Sequence, residues 1–212
     1  MRVRYLNPVG TDVYDAAMAD ILNQFKQPDT TVEVVSLPSD QPKHLEYHAY
    51  EALVVADIVA QARLAARDCD AFVIGCFYDV GLRDAREVSG RAIVTAPCES
   101  ACAIARSLGN TFSVLVGRRK WIPKMAENVR LYGHEHAMAS MRPMELSVHD
   151  FQNDDTVYER MLSVGRTCVE EDGAEVLMLG CTASFGFCER LQEALGVPVL
   201  DAMLAPFKYA EF

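Results

Sequence analysis

The 212-residue chain has no long apolar run, because Asp, Arg or Gln interrupts each one short of the roughly 18–20 residues that a membrane helix needs. The opening segment, residues 1–8, lacks the apolar core of a signal peptide and instead indicates a strand that enters a turn. Basic residues are outnumbered, with 20 Lys and Arg against 30 Asp and Glu and a formal net charge of −10. These absences predict a cytoplasmic protein with neither a membrane nor a nucleic acid as partner.

Disulfide and metal-binding patterns are also missing, although the chain contains seven cysteines. Their odd number, the size of the chain and the lack of a signal peptide favour reduced thiols. There is no Cys-x-x-Cys pair and no zinc-finger spacing, so no metal site is expected. Phosphate-loop and dinucleotide glycine patterns are absent as well. Two pairs, Cys98 with Cys102 and His44 with His48, lie one helical turn apart; we interpret the first as packing and the second as solvated rather than as metal ligands.

Short apolar segments alternate with longer segments of helical periodicity along the whole chain. The periodicity of Ile122, Met125 and Val129 is typical of the helices, and residues 185–195 predict another. Strands that are apolar throughout and alternate with helices are typical of parallel sheets covered on both faces. The sequence therefore predicts an α/β fold. The predicted strands are residues 3–6, 31–37, 71–74, 92–95, 112–116, 176–179 and 197–200.

One strand ending occurs twice. An apolar strand runs into Gly75 and Cys76, and a second runs into Gly180 and Cys181 about half the chain later, each with a helix before it and a helix and a strand after it. The repeat predicts two pseudo-symmetric lobes, each a short parallel sheet flanked by helices. We assign residues 1–97 to the first lobe and 98–200 to the second, with 201–212 packing back on the first. The active site is expected in the interlobe cleft.

A thiol at the carboxyl end of a parallel strand lies where open α/β sheets bind ligands. A single such cysteine is most simply a buried one, but the pair Cys76 and Cys181 favours function. A following helix N-terminus would lower the thiol pKa, so one cysteine can remove a proton from a carbon while the other delivers one to its opposite face. The loop amides at Phe77, Tyr78 and Thr182 are candidates to stabilise the carbanion, and no metal or prosthetic group is required.

The whole pattern resembles the aspartate/glutamate/hydantoin racemase superfamily, and within it the hydantoin and allantoin racemases most closely. The resemblance implies that Cys76 and Cys181 are the two acid/base residues, that Asn7 and Gly117 lie in substrate-binding loops, that no cofactor is used and that the chain forms a homo-oligomer acting on a small molecule. The residues that carry it are Leu6-Asn7-Pro8, Gly75-Cys76-Phe77-Tyr78-Asp79-Val80-Gly81-Leu82, Gly180-Cys181-Thr182, the segment Ile122-Pro123 to Tyr132-Gly133, and Pro198-Val199-Leu200-Asp201.

The predicted substrate is a 5-substituted hydantoin or a related cyclic ureide such as allantoin, since few cations accompany the cysteine motifs. Two departures from the family pattern are visible: family members usually continue beyond the position of Phe212, and Arg118 and Arg119 follow Gly117, where they face either an anionic group or solvent.

The alternative functions are those of an aspartate or glutamate racemase and of a maleate isomerase. Arylmalonate decarboxylase is disfavoured, because by resemblance it keeps only the second-half cysteine. From another class, a two-lobed binding protein or a thiol redox sensor also fits.

Overall fold

The computed structural model describes residues 1–152 and 154–212, and the chain divides into two compact units. The first unit is Met1–Pro97 together with Pro206–Phe212, and the second is Cys98–Ala205. Each unit contains a four-stranded sheet whose paired strands run parallel. The predicted α/β fold with two short parallel sheets flanked by helices is confirmed.

The elements of the first unit are β1 (Arg2–Asn7), α1 (Asp15–Phe25), β2 (Thr31–Ser36), α2 (His48–Asp68), β3 (Ala71–Ile74), α3 (Leu82–Val88) and β4 (Ile93–Thr95). Its sheet has the strand order β2-β1-β3-β4. Strand β3, one of the two central strands, is buried along its whole length, as expected for a parallel sheet covered on both faces. Helix α2 packs against β1 and β3 with a stripe formed by Val54, Ile58, Ala62 and Ala65. Of the helices in the described part of the chain, none has both the length and the apolar character to cross a membrane.

The elements of the second unit are α4 (Pro97–Leu108), β5 (Phe112–Val116), α5 (Ile122–Leu131), β6 (Met138–Pro143), α6 (Asp154–Glu170), β7 (Val176–Leu179), α7 (Cys188–Leu195) and β8 (Val199–Leu200). A last helix, α8 (Leu204–Glu211), begins in the second unit and continues into the first. The sheet has the order β6-β5-β7-β8, and its strands β5 and β7 are fully buried. Helix α6 packs against β5 and β6, and α7 against β8.

The two sheets repeat one topology. Strands β1 to β4 correspond in pairing order to β5 to β8, and the register agrees, because Leu6 lies opposite Ile74 as Leu115 lies opposite Leu179. The internal repeat therefore extends over all four strands of each sheet, well beyond the short segments whose residues match.

The last residues of the chain belong to the first unit. The Thr95 hydroxyl donates to the Pro206 carbonyl at 2.9 Å, and Lys208 Nζ donates to the Phe25 carbonyl at 2.9 Å. The Gln27 amide donates to a carboxylate oxygen of Glu211 at 2.8 Å. Residues 201–205, which the sequence analysis grouped with this return segment, lie in the second unit.

Two elements lie outside the sequence-based prediction and others begin later than predicted, among them β8, which starts at Val199 and not at residue 197. Strand β6 was not predicted, because it has no β-branched residue and lies at the edge of its sheet, where it pairs with β5 and with no other strand of the described residues. Helix α8 was not predicted either. The helix predicted over 185–195 begins only at Cys188, since Gly186 adopts a left-handed φ of 87° that a helix cannot contain.

Candidate active site

Cys76 lies just beyond the end of β3 and is half-buried. The Gly75 amide donates to the Leu6 carbonyl at 2.8 Å, which extends the β1–β3 pairing by one residue. The Cys76 carbonyl then accepts the Asp79 amide at 2.9 Å and closes a turn over residues 76–79. The thiol thus belongs to the first residue of a tight turn at the carboxyl edge of the first sheet.

Gly75 permits a close approach of β3 to β1. A Cβ atom at this position would lie 2.5 Å from Tyr5 Cε1 and 2.8 Å from the Leu6 carbonyl oxygen. That carbonyl cannot withdraw without losing the hydrogen bond from the Gly75 amide. Glycine before the thiol is therefore a packing requirement, and it fixes where the turn begins.

Cys181 has the same backbone setting in the second unit. The Gly180 amide donates to the Leu115 carbonyl at 2.9 Å, and the Ser184 amide donates to the Cys181 carbonyl at 3.1 Å. The Ser184 hydroxyl donates to that same carbonyl. Cys181 is also half-buried. Both thiols therefore occupy equivalent positions, each at the start of a turn that leaves the carboxyl end of a buried strand.

A turn, and not a helix, follows each thiol directly, so the expectation of an adjacent helix N-terminus is wrong. After Cys76 the chain passes through Asp79 with φ of 51° before α3 begins at Leu82. After Cys181 a 3₁₀ turn over Thr182–Ser184 precedes α7, which begins at Cys188. A helix dipole acts mainly within its first turn, so the peptide groups of these tight turns are the nearer dipoles for each thiol.

The three candidate amides lie within these turns. Phe77 and Tyr78 are the central residues of the first turn, and both residues are buried, at 2% and 6% exposed, respectively. Thr182 is the first residue of the 3₁₀ turn after Cys181 and is half-buried. A role for these amides in stabilising a carbanion stays a prediction.

Asn7 ends β1 at the same carboxyl edge as Cys76 and is 7% exposed. Its amide Nδ2 contacts Asp15 Oδ1 at 3.0 Å, Ser36 Oγ at 3.1 Å and the Thr11 carbonyl at 3.3 Å. Ser36 Oγ also donates to the Asp15 carboxylate. The Asn7 amide group thus fixes the loop between β1 and α1, and any contact with a substrate falls to its carbonyl oxygen.

We expect Asn7→Asp to destabilise the protein by about 2–4 kcal/mol at pH 8, because it places a carboxylate beside that of Asp15. Repulsion raises the pKa of one carboxyl of the pair in the folded state above its unfolded value. The loss is therefore largest above that raised pKa and shrinks as the pH falls through it. Urea unfolding at pH 8 and pH 5 measures the difference.

The matched control for this prediction is Asn23→Asp on the exposed face of α1, where the amide donates to the Ala19 carbonyl at 2.8 Å. It adds the same charge at an exposed position, where solvent screens it from the exposed Asp20 one turn earlier, and we expect a loss of under about 0.5 kcal/mol. A loss that is equal for both variants, or equal at both pH values for Asn7→Asp, contradicts the prediction.

Gly117 follows β5 at the carboxyl edge of the second sheet, where the buried Trp121 ring packs directly on it. Its carbonyl accepts the Leu146 amide at 2.9 Å. The neighbouring Arg119 is exposed and lies 3.7 Å from the Glu145 carboxylate. This arrangement favours the solvated interpretation for Arg119, and the substrate-binding role of Gly117 stays a prediction.

The remaining cysteines occupy other environments. Cys98, Cys102 and Cys168 are buried, as their interpretation as packing residues predicts. Cys188 is partly buried, and burial together with the nearby Asp201 raises the pKa of its thiol. Cys69 ends α2 near the surface, with its sulfur 3.4 Å from the Asp68 carboxylate, so it is not a core residue.

The histidine pair at the start of α2 is engaged with other partners. His48 Nδ1 lies 3.0 Å from the Glu51 carboxylate. The His44 ring packs on Tyr47 and Tyr50, with centroids 5.9 and 5.5 Å away. Across residues 1–152 and 154–212, no group of three or more His, Cys, Asp or Glu side chains is placed to hold a metal ion.

Two acidic residues beside the candidate site were not predicted from the sequence. The Asp15 carboxylate accepts hydrogen bonds from the Asn7 and Ser36 side chains, and nothing in the sequence pattern distinguishes it from Asp20, the other acid of α1. Asp201 is buried beyond β8. The repeat could have revealed it, because the strand register matches Asp201 with the apolar Ala96 of the first half.

Solved structures share the whole fold. Allantoin racemase from Klebsiella pneumoniae superimposes with a TM-score of 0.92 at 23% identity, covering 100% of this chain and 86% of that one. Allantoin racemase from Pseudomonas fluorescens gives 0.89 at 24% identity, covering 100% and 89%. The fold defines a class of α/β proteins built from two units of repeated topology.

Sequence similarity identifies the family within this class of folds. Hydantoin racemase from Rhizobium meliloti is 35% identical over 213 residues, covering 100% of this chain and 88% of the relative. The model of the Asp/Glu/hydantoin racemase family matches residues 3–210. The chain belongs to the Asp/Glu/hydantoin racemase family. The resemblance identified from the cysteine motifs is confirmed, and the protein is an enzyme of the isomerase class, a racemase.

Proposed function

We propose that this racemase interconverts the enantiomers of a 5-substituted hydantoin or a related cyclic ureide such as allantoin, with Cys76 and Cys181 as its two acid/base residues. The substrate class is supported by the full-length similarity to hydantoin racemases at 30–35% identity. Support for the residues comes from the site geometry.

The observation that carries the proposal is the equivalence of the two thiol turns. In each unit a glycine amide bonds to the neighbouring strand, at 2.8 and 2.9 Å, and the next residue is a half-buried cysteine whose carbonyl closes a turn. Nothing in the packing of a sheet requires a thiol at this place in both halves. A pair of like acid/base groups at matched positions suits a reaction whose substrate and product are mirror images.

The proposed reaction moves one proton and involves no net oxidation or reduction. The thiolate of one cysteine takes the proton from ring carbon 5, and the electron pair left on that carbon delocalises into the adjacent ring carbonyl. The thiol of the other cysteine then delivers its proton to the opposite face, which inverts the configuration. The first cysteine ends as a thiol and the second as a thiolate, so their roles exchange for the reverse reaction. The mechanism requires both thiols to reach the same carbon.

A neutral ring fits this chain better than an amino-acid dicarboxylate does. Arg119, one of the cations that follow Gly117, pairs with Glu145 at the surface. The Asn7 amide is engaged with Asp15, Ser36 and Thr11. A dicarboxylate would need cations or several free donors, whereas a cyclic ureide needs a few donors and acceptors for its ring carbonyls and N–H groups.

The test is to incubate one enantiomer of a 5-substituted hydantoin with the enzyme in D₂O and to follow optical rotation together with deuterium at carbon 5. We expect the rotation to decay to zero. Early in the reaction the inverted product should carry deuterium while the remaining starting enantiomer carries little. The same rate is expected after dialysis against a chelator. Loss of rotation for L-aspartate but not for any hydantoin would refute the substrate class, and product without deuterium would refute two-base proton transfer.

Three further expectations stay predictions: a homo-oligomeric state, a cytoplasmic location and independence of any cofactor. They come from the family resemblance and from the sequence, and sedimentation equilibrium of the purified protein tests the first. The predicted absence of a nucleic-acid partner rests on the net charge of −10.

A further inference from the structure

We propose that Asp201 is a positioning residue that holds the segment carrying Cys181 in its working conformation. This role rests on the proposed function, because it assigns to Asp201 the placement of one of the two acid/base thiols.

Asp201 follows β8 and is 7% exposed. Its Oδ1 accepts the Met203 amide at 2.7 Å and the Leu204 amide at 3.1 Å, and its main-chain carbonyl accepts the Ala205 amide at 2.9 Å. These bonds satisfy amides at the start of α8, as an N-cap residue does. One side of the carboxyl group is therefore occupied by the beginning of α8.

The same carboxyl also reaches the segment that follows Cys181. It accepts a hydrogen bond from the Gly186 amide, and its Oδ2 lies 4.0 Å from the sulfur of Cys188. Gly186 and Cys188 join the 3₁₀ turn at Thr182–Ser184 to α7. Asp201 thus links two segments: the residues that follow the thiol turn, through Gly186 and Cys188, and the start of α8, through Met203.

Burial of a carboxyl group is costly unless hydrogen bonds compensate for the lost water. Burial raises the pKa of Asp201, and hydrogen bonds from Met203, Leu204 and Gly186 act in the opposite direction. An apolar residue would fill this place without that cost but would leave these three amides without their acceptor. The need to hold the backbone at Gly186 and at Met203 and Leu204 therefore explains why an acidic residue occupies this buried position.

The first unit has no carboxyl group at the position equivalent to Asp201. The register pairs Phe72 with Val94 as it pairs Leu177 with Val199, so the counterpart of Asp201, two residues after Val199, is Ala96. Ala96 is fully buried and has no polar side chain. Loss of the Asp201 carboxyl should therefore alter the position and reactivity of the Cys181 thiol and leave those of the Cys76 thiol unchanged. A general loss of stability would affect both thiols.

The experiment compares Asp201→Ala, which removes the acceptor, with Asp201→Asn, which keeps an oxygen for the three amides. We expect Asp201→Ala to lower kcat for racemisation by roughly 10²-fold with little change in KM, because a misplaced reacting group costs about this much. Asp201→Asn should retain activity within about fivefold, since its amide oxygen still accepts hydrogen bonds. In D₂O the alanine variant should still exchange the proton of one enantiomer with retention, through Cys76.

A second readout needs no substrate. Alkylation by iodoacetamide, followed peptide by peptide, should be faster at Cys181 in Asp201→Ala by about fivefold or more, because the loosened segment exposes its thiol. The rate at Cys76 should not change. If Asp201→Ala does not fold, Asp201→Ser takes its place, because it keeps an oxygen on a shorter side chain.

The matched control is Thr95→Val, which removes the buried hydrogen bond to Pro206 in the first unit. It should lower the urea midpoint and leave alkylation of Cys181 unchanged. Equal acceleration at both thiols in Asp201→Ala, no acceleration at Cys181, or the same effect in Thr95→Val overturns the role of Asp201. If the wild type racemises no hydantoin, the proposed function fails while alkylation still decides whether Asp201 holds the segment.

Discussion

Cys76→Ser and Cys181→Ser each lower the racemisation of a 5-substituted hydantoin by roughly 10³-fold or more, according to the proposed mechanism. A serine hydroxyl preserves the size and the backbone of each turn, but its far higher pKa leaves it unable to act as a base near neutral pH. Racemisation needs both residues, one for each face of the carbon, so either substitution alone abolishes it. The measurement is the initial rate of loss of optical rotation, starting from each enantiomer.

The matched control is Cys69→Ser, which removes a partly exposed thiol between α2 and β3, at the opposite end of that strand from Cys76. It should racemise at the rate of the wild type. In D₂O each site variant should retain exchange for only one enantiomer, and the two variants should differ in which one it is. A site variant with more than about a tenth of the wild-type rate would show that its thiol is not an essential base.

Gly75→Ala should lower both the stability and the activity of the protein. The added methyl group would lie 2.5 Å from Tyr5 Cε1 and 2.8 Å from the Leu6 carbonyl oxygen. Overpacking of this kind costs about 1–3 kcal/mol, and we expect the upper part of that range because a backbone atom is involved. The same shift displaces Cys76, so racemisation should fall by at least about 10²-fold. Urea unfolding and the racemisation rate measure the two effects.

Gly173→Ala provides the comparison, because a Cβ atom there meets nothing within 4 Å and the only obstacle is a left-handed φ of 73°. Such a substitution costs about 1 kcal/mol through the backbone alone, and full activity is expected. The explanation for Gly75 is wrong if the two variants lose the same stability and both remain active.

The buried strands were the easiest elements to predict from the sequence. Strands β3 and β7 are apolar at every position, and β5 is apolar except at Ser113, because both faces of each sheet are covered; their predicted bounds agree with the structure. Edge strand β6 was not predicted. One of its sides pairs with no strand in the described part of the chain, and its sequence contains no β-branched or aromatic residue that would indicate a strand.

The site was only partly predictable. The repeated Gly-Cys ending identified the two thiols, because it is a local pattern that a single sequence displays twice. The turn after Cys76 could not be foreseen, since it depends on Asp79 adopting a left-handed φ of 51°, which is rare outside glycine. The contacts of Asp201 join segments that only the folded sheet brings together.

The discontinuity of the first unit has a consequence for biosynthesis. Domains tend to fold as units while the ribosome is still translating, with those nearest the N-terminus first. Here the N-terminal unit includes Pro206–Phe212, whereas the second unit is one continuous stretch, Cys98–Ala205. The N-terminal unit therefore cannot be completed until its final residues leave the exit tunnel. The Thr95 hydroxyl, whose acceptor is the Pro206 carbonyl, stays without that partner until residue 206 has been synthesised and has left the tunnel.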